Sequence, residues 1–399
     1  MRWPSGWKDP STLDLLRGTA IDYLLIGGED DLAKVRKRAQ QVGLRILQAP
    51  PPGIEMVNGV WPGVNLRRGG GGISAGPTGN PWVDSNGWAV RLAAAFHPGA
   101  AVWVDAPPAQ DAVITSDSYL VAVADSAAHG GRWIITLDRP LADDLAGGRS
   151  EALATWKSLA AACGFFAEHK SWPACAPLAV VGVVSDFAGA NEFFSHELLN
   201  LLARAGGHYR ILPKGGISAG SFEALRAVIY PDAEPPAPTV RKQVLTFVAS
   251  GGMLITGPPW SDFPNTRASA TASPRFSVYP LGNGKIAAAH AAPDDPYAWA
   301  NDTIVLVSHR YDLVRLWNSG AAGSYCTISP DRKKVVAHLV FYADRGPDSA
   351  AVRIAGRYRA VKASTVEQPD LKVGIQLQAD AVEVHLPAVS QYVALELEI

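Results

Sequence analysis

Carboxylates at the ends of buried strands are the groups in this sequence best suited to chemistry. Asp105 closes the run Ala101–Asp105 (Ala-Val-Trp-Val-Asp), and Asp138 closes Arg132–Asp138 (Arg-Trp-Ile-Ile-Thr-Leu-Asp). Asp84 lies in the turn-rich stretch Ala75–Trp88, and Glu55 and Asp117 stand in neighbouring connections. Two carboxylates in one cleft, one of them kept protonated by its surroundings, can serve as general acid and base or nucleophile. Asp84 and Asp105 form the first candidate pair because the stretch and the strand end flank a single helix, Trp88–Phe96. Each of the five, taken alone, also fits a helix-capping or turn residue.

The stretch Ala75–Trp88 packs three Gly, two Pro, two Asn and two Trp around Asp84. A long ordered loop on a rigid scaffold is a common place for binding groups, although such a loop can equally cover a sheet edge. Trp61, Trp82, Trp88, Trp103 and Trp133 offer flat apolar faces, and most Trp in a chain with twelve of them anchor a core. The expected ligand-binding set is Trp61, Trp82, Asn86, Trp88, Trp103 and Asp138, with Asp84 and Asp105 catalytic. His129, His196, His309 and His338 are scattered and read as packing histidines. Gly69–Gly72 lacks the following Lys-Ser/Thr of a phosphate loop, and Gly27-Gly28 is too little for a dinucleotide fingerprint. Cys163, Cys175 and Cys326 show neither disulfide nor zinc spacing. No cofactor and no metal are expected.

The elements that position these groups divide the chain in three. Over residues 1–175, Ile21–Gly27, Gly43–Gln48, Val60–Leu66, Ala101–Asp105 and Arg132–Asp138 read as strands, with helices at Asp30–Gln41, Trp88–Phe96, Tyr119–His129 and Ser150–Lys170. Strand, helix, strand with short links implies parallel pairing, hence a short or incomplete (β/α) barrel. Over 176–284, the continuous β-branched run Leu178–Ser185 marks a central parallel strand. Helices at Asn191–Ala205 and Thr239–Ser250 alternate with strands at Tyr209–Leu212, Ala227–Tyr230 and Met253–Thr256, a doubly wound α/β pattern. From 285 to 399, short alternating segments such as Val335–Tyr342 and Ala381–Leu386 predict an antiparallel β-sandwich.

The 399 residues are 48% hydrophobic, with 36 basic against 37 acidic side chains and a net charge of -1. Such a balance gives no field to attract nucleic acid or an anionic membrane, and neither partner is expected. No apolar run approaches the ~20 residues of a membrane helix. The opening Met-Arg-Trp-Pro-Ser-Gly-Trp-Lys-Asp-Pro has no apolar signal core, so the expected location is cytoplasmic, or extracellular or periplasmic if a leader was trimmed.

An α/β layer, a doubly wound unit containing Phe247-Val-Ala-Ser-Gly-Gly-Met-Leu-Ile255, then a β-sandwich, resembles bacterial glycoside hydrolases of the β-galactosidase type. Ala124-Asp-Ser-Ala-Ala-His-Gly-Gly131 is similar to their last barrel helix and strand, and Val335–Tyr342 resembles the opening of their final domain. The resemblance implies a barrel, an oligomerising domain of the class I glutamine-amidotransferase fold and a small sandwich. It also implies a carbohydrate ligand, carboxylate catalysis with Trp stacking on sugar rings, and a homo-oligomer. Glycoside cleavage needs its two carboxylates ~5 Å apart for retention or ~6.5 to 9.5 Å apart for inversion.

Two departures stand out. The family's Asn-Glu pair follows a middle barrel strand, whereas the one Asn-Glu here, Asn191-Glu192, opens a helix of the second unit and reads as a helix-start acid. Gly257-Pro258-Pro259-Trp260 stands where an amidotransferase would carry its Cys, which argues against glutamine hydrolysis. Two classes therefore remain: a divergent glycoside hydrolase using Asp84 and Asp105, or a noncatalytic sugar-binding or structural relative that lacks the acid/base Glu.

Overall fold

The computed structural model describes residues 1–27, 30–65, 67–69, 72–74, 82–258, 270–343 and 346–399. Residues 75–81 of the expected ligand loop, Gly28, residues 70–71 of the glycine run and Pro259-Trp260 lie outside them.

The first layer opens with β1 (Tyr23–Leu25), α1 (Ala33–Gln41) and β2 (Arg45–Leu47). The two strands pair in parallel with Tyr23 opposite Arg45, as the strand, helix, strand pattern requires. Helix α1 buries Val35 and Ala39, one turn apart on a single stripe. The strand expected over Val60–Leu66 is displaced. β3 (Ile54–Asn58) takes the parallel place, because Pro62 has no N–H to give a ladder. β4 (Gly63–Asn65) instead pairs antiparallel with β7 (Trp82–Asp84), and β5 (Arg67–Gly69) pairs with β6 (Gly72–Ser74). Next come α2 (Gly87–Phe96), β8 (Ala101–Asp105), α3 (Ser116–Ala128), β9 (Gly131–Trp133), α4 (Arg139–Ala146) and α5 (Ser150–Glu168). β8 lies between β3 and β9, all parallel. Met1–Trp3 fills the space between β1 and the chain after β9: Arg2 N donates to Ile135 O at 2.8 Å and Trp3 N to Leu25 O at 2.9 Å. Among the described residues, β2 pairs with β1 alone and β3 with β8 alone.

The second layer comprises β11 (Val181–Ser185), α6 (Glu192–Arg204), β12 (Tyr209–Pro213), β13 (Ala227–Tyr230), α7 (Pro238–Ala249), β14 (Met253–Thr256), β15 (Ala270–Ser273), β16 (Phe276–Leu281), β17 (Gly284–Ala289) and α8 (Pro296–Val307); the two-residue β10 (Ala176–Pro177) precedes it. Its sheet runs β12-β11-β13-β14-β17-β16-β15, with the first five strands parallel. Every residue of β11 and β13 is buried, which is why both read as unbroken apolar runs. β17, which begins at residue 284, and α8 belong to this layer: β17 pairs with β14, and α8 packs on α6. At the carboxyl edge of the sheet the Lys214 ammonium sits on the buried Asp232 carboxylate and lies 3.3 Å from Asp186, while Ser185 Oγ donates to Asp232 at 2.5 Å.

The third layer holds β18 (Val314–Trp317), β19 (Ala322–Ile328), β20 (Lys334–Phe341), β21 (Ala350–Ala355), β22 (Ala360–Ser364), β23 (Gly374–Leu377), β24 (Ala381–Leu386) and β25 (Tyr392–Glu398). Two antiparallel sheets, β10-β19-β20-β25-β22 and β18-β21-β24-β23, face each other across one apolar core. Val335, Ala337, Leu339 and Phe341 of β20 enter that core at the two-residue period of a strand. The opposite face of β20, with Val336 and Val340, packs against Phe165, Trp172 and Ala124 of the first layer. Both faces being covered, this segment also reads as continuously apolar. No helix among the described residues is long and apolar enough to cross a membrane.

Candidate functional site

A cleft of about 440 Å³ opens where the three layers meet. Its walls come from the start of α2, the last turn of α6, the first turns of α8, and the facing ends of β19 and β20. Gly87 lets α2 begin there: a Cβ on it would lie 2.4 to 2.6 Å from the His129 ring. Trp88, the next residue, sets its ring 5.1 Å from that of His196 on α6. Tyr297, in the first turn of α8, lines the cleft and is 41% exposed, so an aromatic face is open to a ligand.

Arg204, near the end of α6, is the electrostatic centre of this cleft. Burial pulls its guanidinium below the usual range, while Asp84, Tyr297 and Glu197 oppose that shift. Glu197 lies two turns earlier on the same helix face. Burial pushes its carboxyl up; Arg204, His196 and Asn200 oppose the rise and Asp84 adds to it. Burial also holds the His129 imidazole below its ordinary value, so the ring lining the cleft is neutral at pH 7. A guanidinium and two aromatic rings line the cleft, where a planar donor can hydrogen-bond hydroxyls and a ring can stack.

Of the residues expected from sequence, Trp88 lines the cleft, and Asp84 and Asn86 alternate with lining residues Val83, Ser85 and Gly87. Asp84 ends β7, and its charge acts on both Glu197 and Arg204. Asn86 supports the cleft from beneath: it is 2% exposed, its Oδ1 accepts from Val60 N at 2.8 Å, its Nδ2 donates to Val60 O at 2.9 Å, and its backbone N–H donates to Asp125 at 2.8 Å. Trp82 stands on β7 opposite Asn65. The other expected residues lie elsewhere, held by packing. Asp105 pairs with Arg2 at 2.5 Å. Trp103 meets Tyr23 edge-on at 5.7 Å, and Trp61 meets Trp133 at 5.1 Å and Tyr119 at 5.2 Å. Trp103 and Trp133 line a separate hollow of about 360 Å³ beside Cys163. Asp138 is the N-cap of α4, accepting from Leu141 N at 3.0 Å and from Tyr119 Oη at 2.9 Å. Glu55 lies 3.4 Å from His97, Asp117 stands in the first turn of α3, and Glu192 in the first turn of α6.

Sequence reading missed Glu197, Arg204 and Tyr297. In α6 the first two look like solvent-facing charges of an amphipathic helix. The available signal was their seven-residue spacing, which places Glu197, Asn200 and Arg204 on one face of two turns.

No protein-family model and no curated protein sequence matches the chain. Solved structures do. An alpha-L-fucosidase (isoenzyme 2) from Paenibacillus thiaminolyticus is 11% identical over 75% of this chain and 60% of its own, with a TM-score of 0.51. A rhamnosidase from Novosphingobium sp. PP1Y covers 92% of this chain and 39% of its own, with a TM-score of 0.51. A beta-galactosidase from Bacillus circulans sp. alkalophilus covers 75% of this chain and 60% of its own at 11% identity, with a TM-score of 0.46. The fold is glycoside hydrolase-like, a mixed α/β chain with several sheets, as in the fucosidase and the rhamnosidase, and the chain spans about 60% or less of the length of these three structures.

Proposed function

We propose that this protein binds a carbohydrate in the cleft between its three layers, on a glycoside hydrolase-like fold. The observation that carries this reading is the placing of Arg204, Trp88 and Tyr297 in the walls of one cleft, with the charges of Asp84 and Glu197 acting on the guanidinium. Charged planar groups orient sugar hydroxyls, and an aromatic face receives the apolar C–H side of the ring. The fold shared with a fucosidase and a rhamnosidase supports the same ligand class. Calorimetric titration with a panel of neutral oligosaccharides is the test. Binding that is weakened in Trp88→Ala and Arg204→Met supports the reading, and a folded protein inert to the whole panel removes it.

Hydrolysis is the second reading. Glu197, pushed up by burial, has the character of a general acid, and Asp84, whose charge adds to that rise, is the second carboxylate of the pair. Asp105 enters such a mechanism less readily, since its carboxylate is already paired with Arg2. Release of nitrophenol from aryl glycosides, lost in Glu197→Gln and in Asp84→Asn, would establish it.

The finer layout belongs to this proposal: an incomplete barrel, an amidotransferase-like middle domain and a sandwich. The middle sheet supports it, since its five parallel strands follow the order 2-1-3-4-5 of doubly wound folds. Self-association rests on the family likeness, and sedimentation as a monomer at micromolar concentration would remove it.

A further inference from the structure

Beyond Arg204 the cleft continues into a second hollow of about 540 Å³. Both are lined by Ala203, Arg204, Ala205, Ala322 and Ser324, so a ligand can pass from one to the other along the end of α6. We infer that this second hollow is a further sugar subsite with Trp317 as its platform, and that the ligand is an oligosaccharide rather than a single sugar. The inference rests on the carbohydrate reading of the cleft.

Three features argue for it. Trp317 is 44% exposed on β18, which is hydrogen-bonded to β21 through the register Trp317 to Ala351. A large aromatic side chain held open on a rigid strand loses little freedom when a ring stacks on it. Beside it a fixed polar triad forms one wall: Arg315 Nε donates to Asp312 Oδ2 at 3.2 Å, His309 Nδ1 lies 3.0 Å from the same oxygen, and the Arg315 guanidinium also donates to His309 O. Such mutually oriented groups present donors and acceptors in a plane, the arrangement that pairs with neighbouring hydroxyls. Finally, Ala203, Ala205, Gly206 and Ala322 line the hollow with small side chains, leaving room for a pyranose ring. Charges of both signs, Arg315 against Asp312, favour a neutral sugar over an acidic one.

The test is a ladder of malto-, cello-, xylo- and galacto-oligosaccharides of one to five units, titrated against the whole chain and Trp317→Ala. The expected result is an affinity that rises with chain length in the unmodified protein. In Trp317→Ala the longer members should lose roughly tenfold or more, while the shortest bound member is unchanged. Trp317→Tyr should restore most of the loss by keeping an aromatic face, which separates stacking from any effect on folding. Length-independent binding, or an equal effect of Trp317→Ala on every member, overturns the subsite and leaves the cleft. Absence of binding by the unmodified protein overturns both.

Discussion

Tyr342, at the end of β20, donates its hydroxyl to Asp125 Oδ1 at 2.7 Å across 217 residues of chain. Asp125 is fully buried on α3, and its other oxygen accepts from the Asn86 backbone N–H at 2.8 Å and from Asn86 Nδ2 at 3.2 Å. One carboxylate thus ties the third layer to the turn that opens α2, directly under the cleft. Tyr342→Phe keeps the ring but leaves Oδ1 without this donor in a dry site, which should cost ~1 to 3 kcal/mol. Urea unfolding would show this as a lower midpoint at unchanged slope. A midpoint equal to that of the unmodified protein would mean that the layers are held by apolar packing alone.

Two buried imidazoles set the acid side of stability. Burial lowers His338 to about 3 and His208 to about 4. His338 Nδ1 lies 2.7 Å from the Tyr392 hydroxyl, so the neutral ring has its partner in place. In the unfolded chain each ring titrates near ~6.5. The folded values being lower, the unfolded state binds more protons below that pH, and stability present above it is lost as pH falls towards 4 and then 3. Each ring should contribute a slope of ~1.4 kcal/mol per pH unit inside its window. Denaturation midpoints between pH 7 and 4.5 should therefore fall, and His338→Gln should fall less steeply. A flat profile over that range would contradict the burial of both rings.

Much of the layout was legible because burial on both faces leaves a plain record. Ala101–Asp105, Ala227–Tyr230, Met253–Thr256 and Ala381–Leu386 are strands with the boundaries the sequence predicts. What failed depended on partners far along the chain. Ile54–Asn58 has charged and exposed positions and acquires its strand character only from pairing with β8. Gly284–Ala289 straddles the boundary expected at 285 and pairs with β14. The site behaved in the same way. Asp84 and Trp88 were singled out because they sit in an unusual turn-rich stretch, whereas Arg204 and Tyr297 come from ordinary helices that only the packing of α6 against α2 and α8 brings to the cleft. Strand-end carboxylates proved ambiguous for a physical reason: the geometry that presents an Asp to a ligand also presents it to an orphan helix N–H, and Asp138 took the latter.

Gly87 couples the cleft to the fold in a way that a single methyl group can probe. In Gly87→Ala the new Cβ would meet Cε1, Nε2 and Nδ1 of His129 at 2.4 to 2.6 Å. His129 cannot retreat freely, since Nδ1 lies 2.8 Å from Asp125 O and its ring stands 4.9 Å from that of Tyr325. Overpacking of this kind should cost ~1 to 3 kcal/mol. The same change should weaken any ligand that Trp88 helps to hold. Thermal unfolding indistinguishable from that of the unmodified protein would show that the ring moves aside without cost.

The Lys214 and Asp232 pair offers a sharper contrast between breaking an ion pair and removing it. Burial works against the Lys214 charge, yet the Asp232 carboxylate more than offsets this and holds the ammonium above its ordinary range. Burial holds the Asp232 carboxyl above its own, with Lys214 and Ser185 opposing. Lys214→Met removes the cation and leaves a carboxylate with 0% side-chain exposure, which should cost ~3 to 5 kcal/mol. Adding Asp232→Asn removes the stranded charge while keeping an acceptor for the Ser185 hydroxyl, so the double variant should recover part of that loss. Strictly additive effects in the four-member cycle would show that Asp186, 3.3 Å from Lys214, and not Asp232, is the partner that matters.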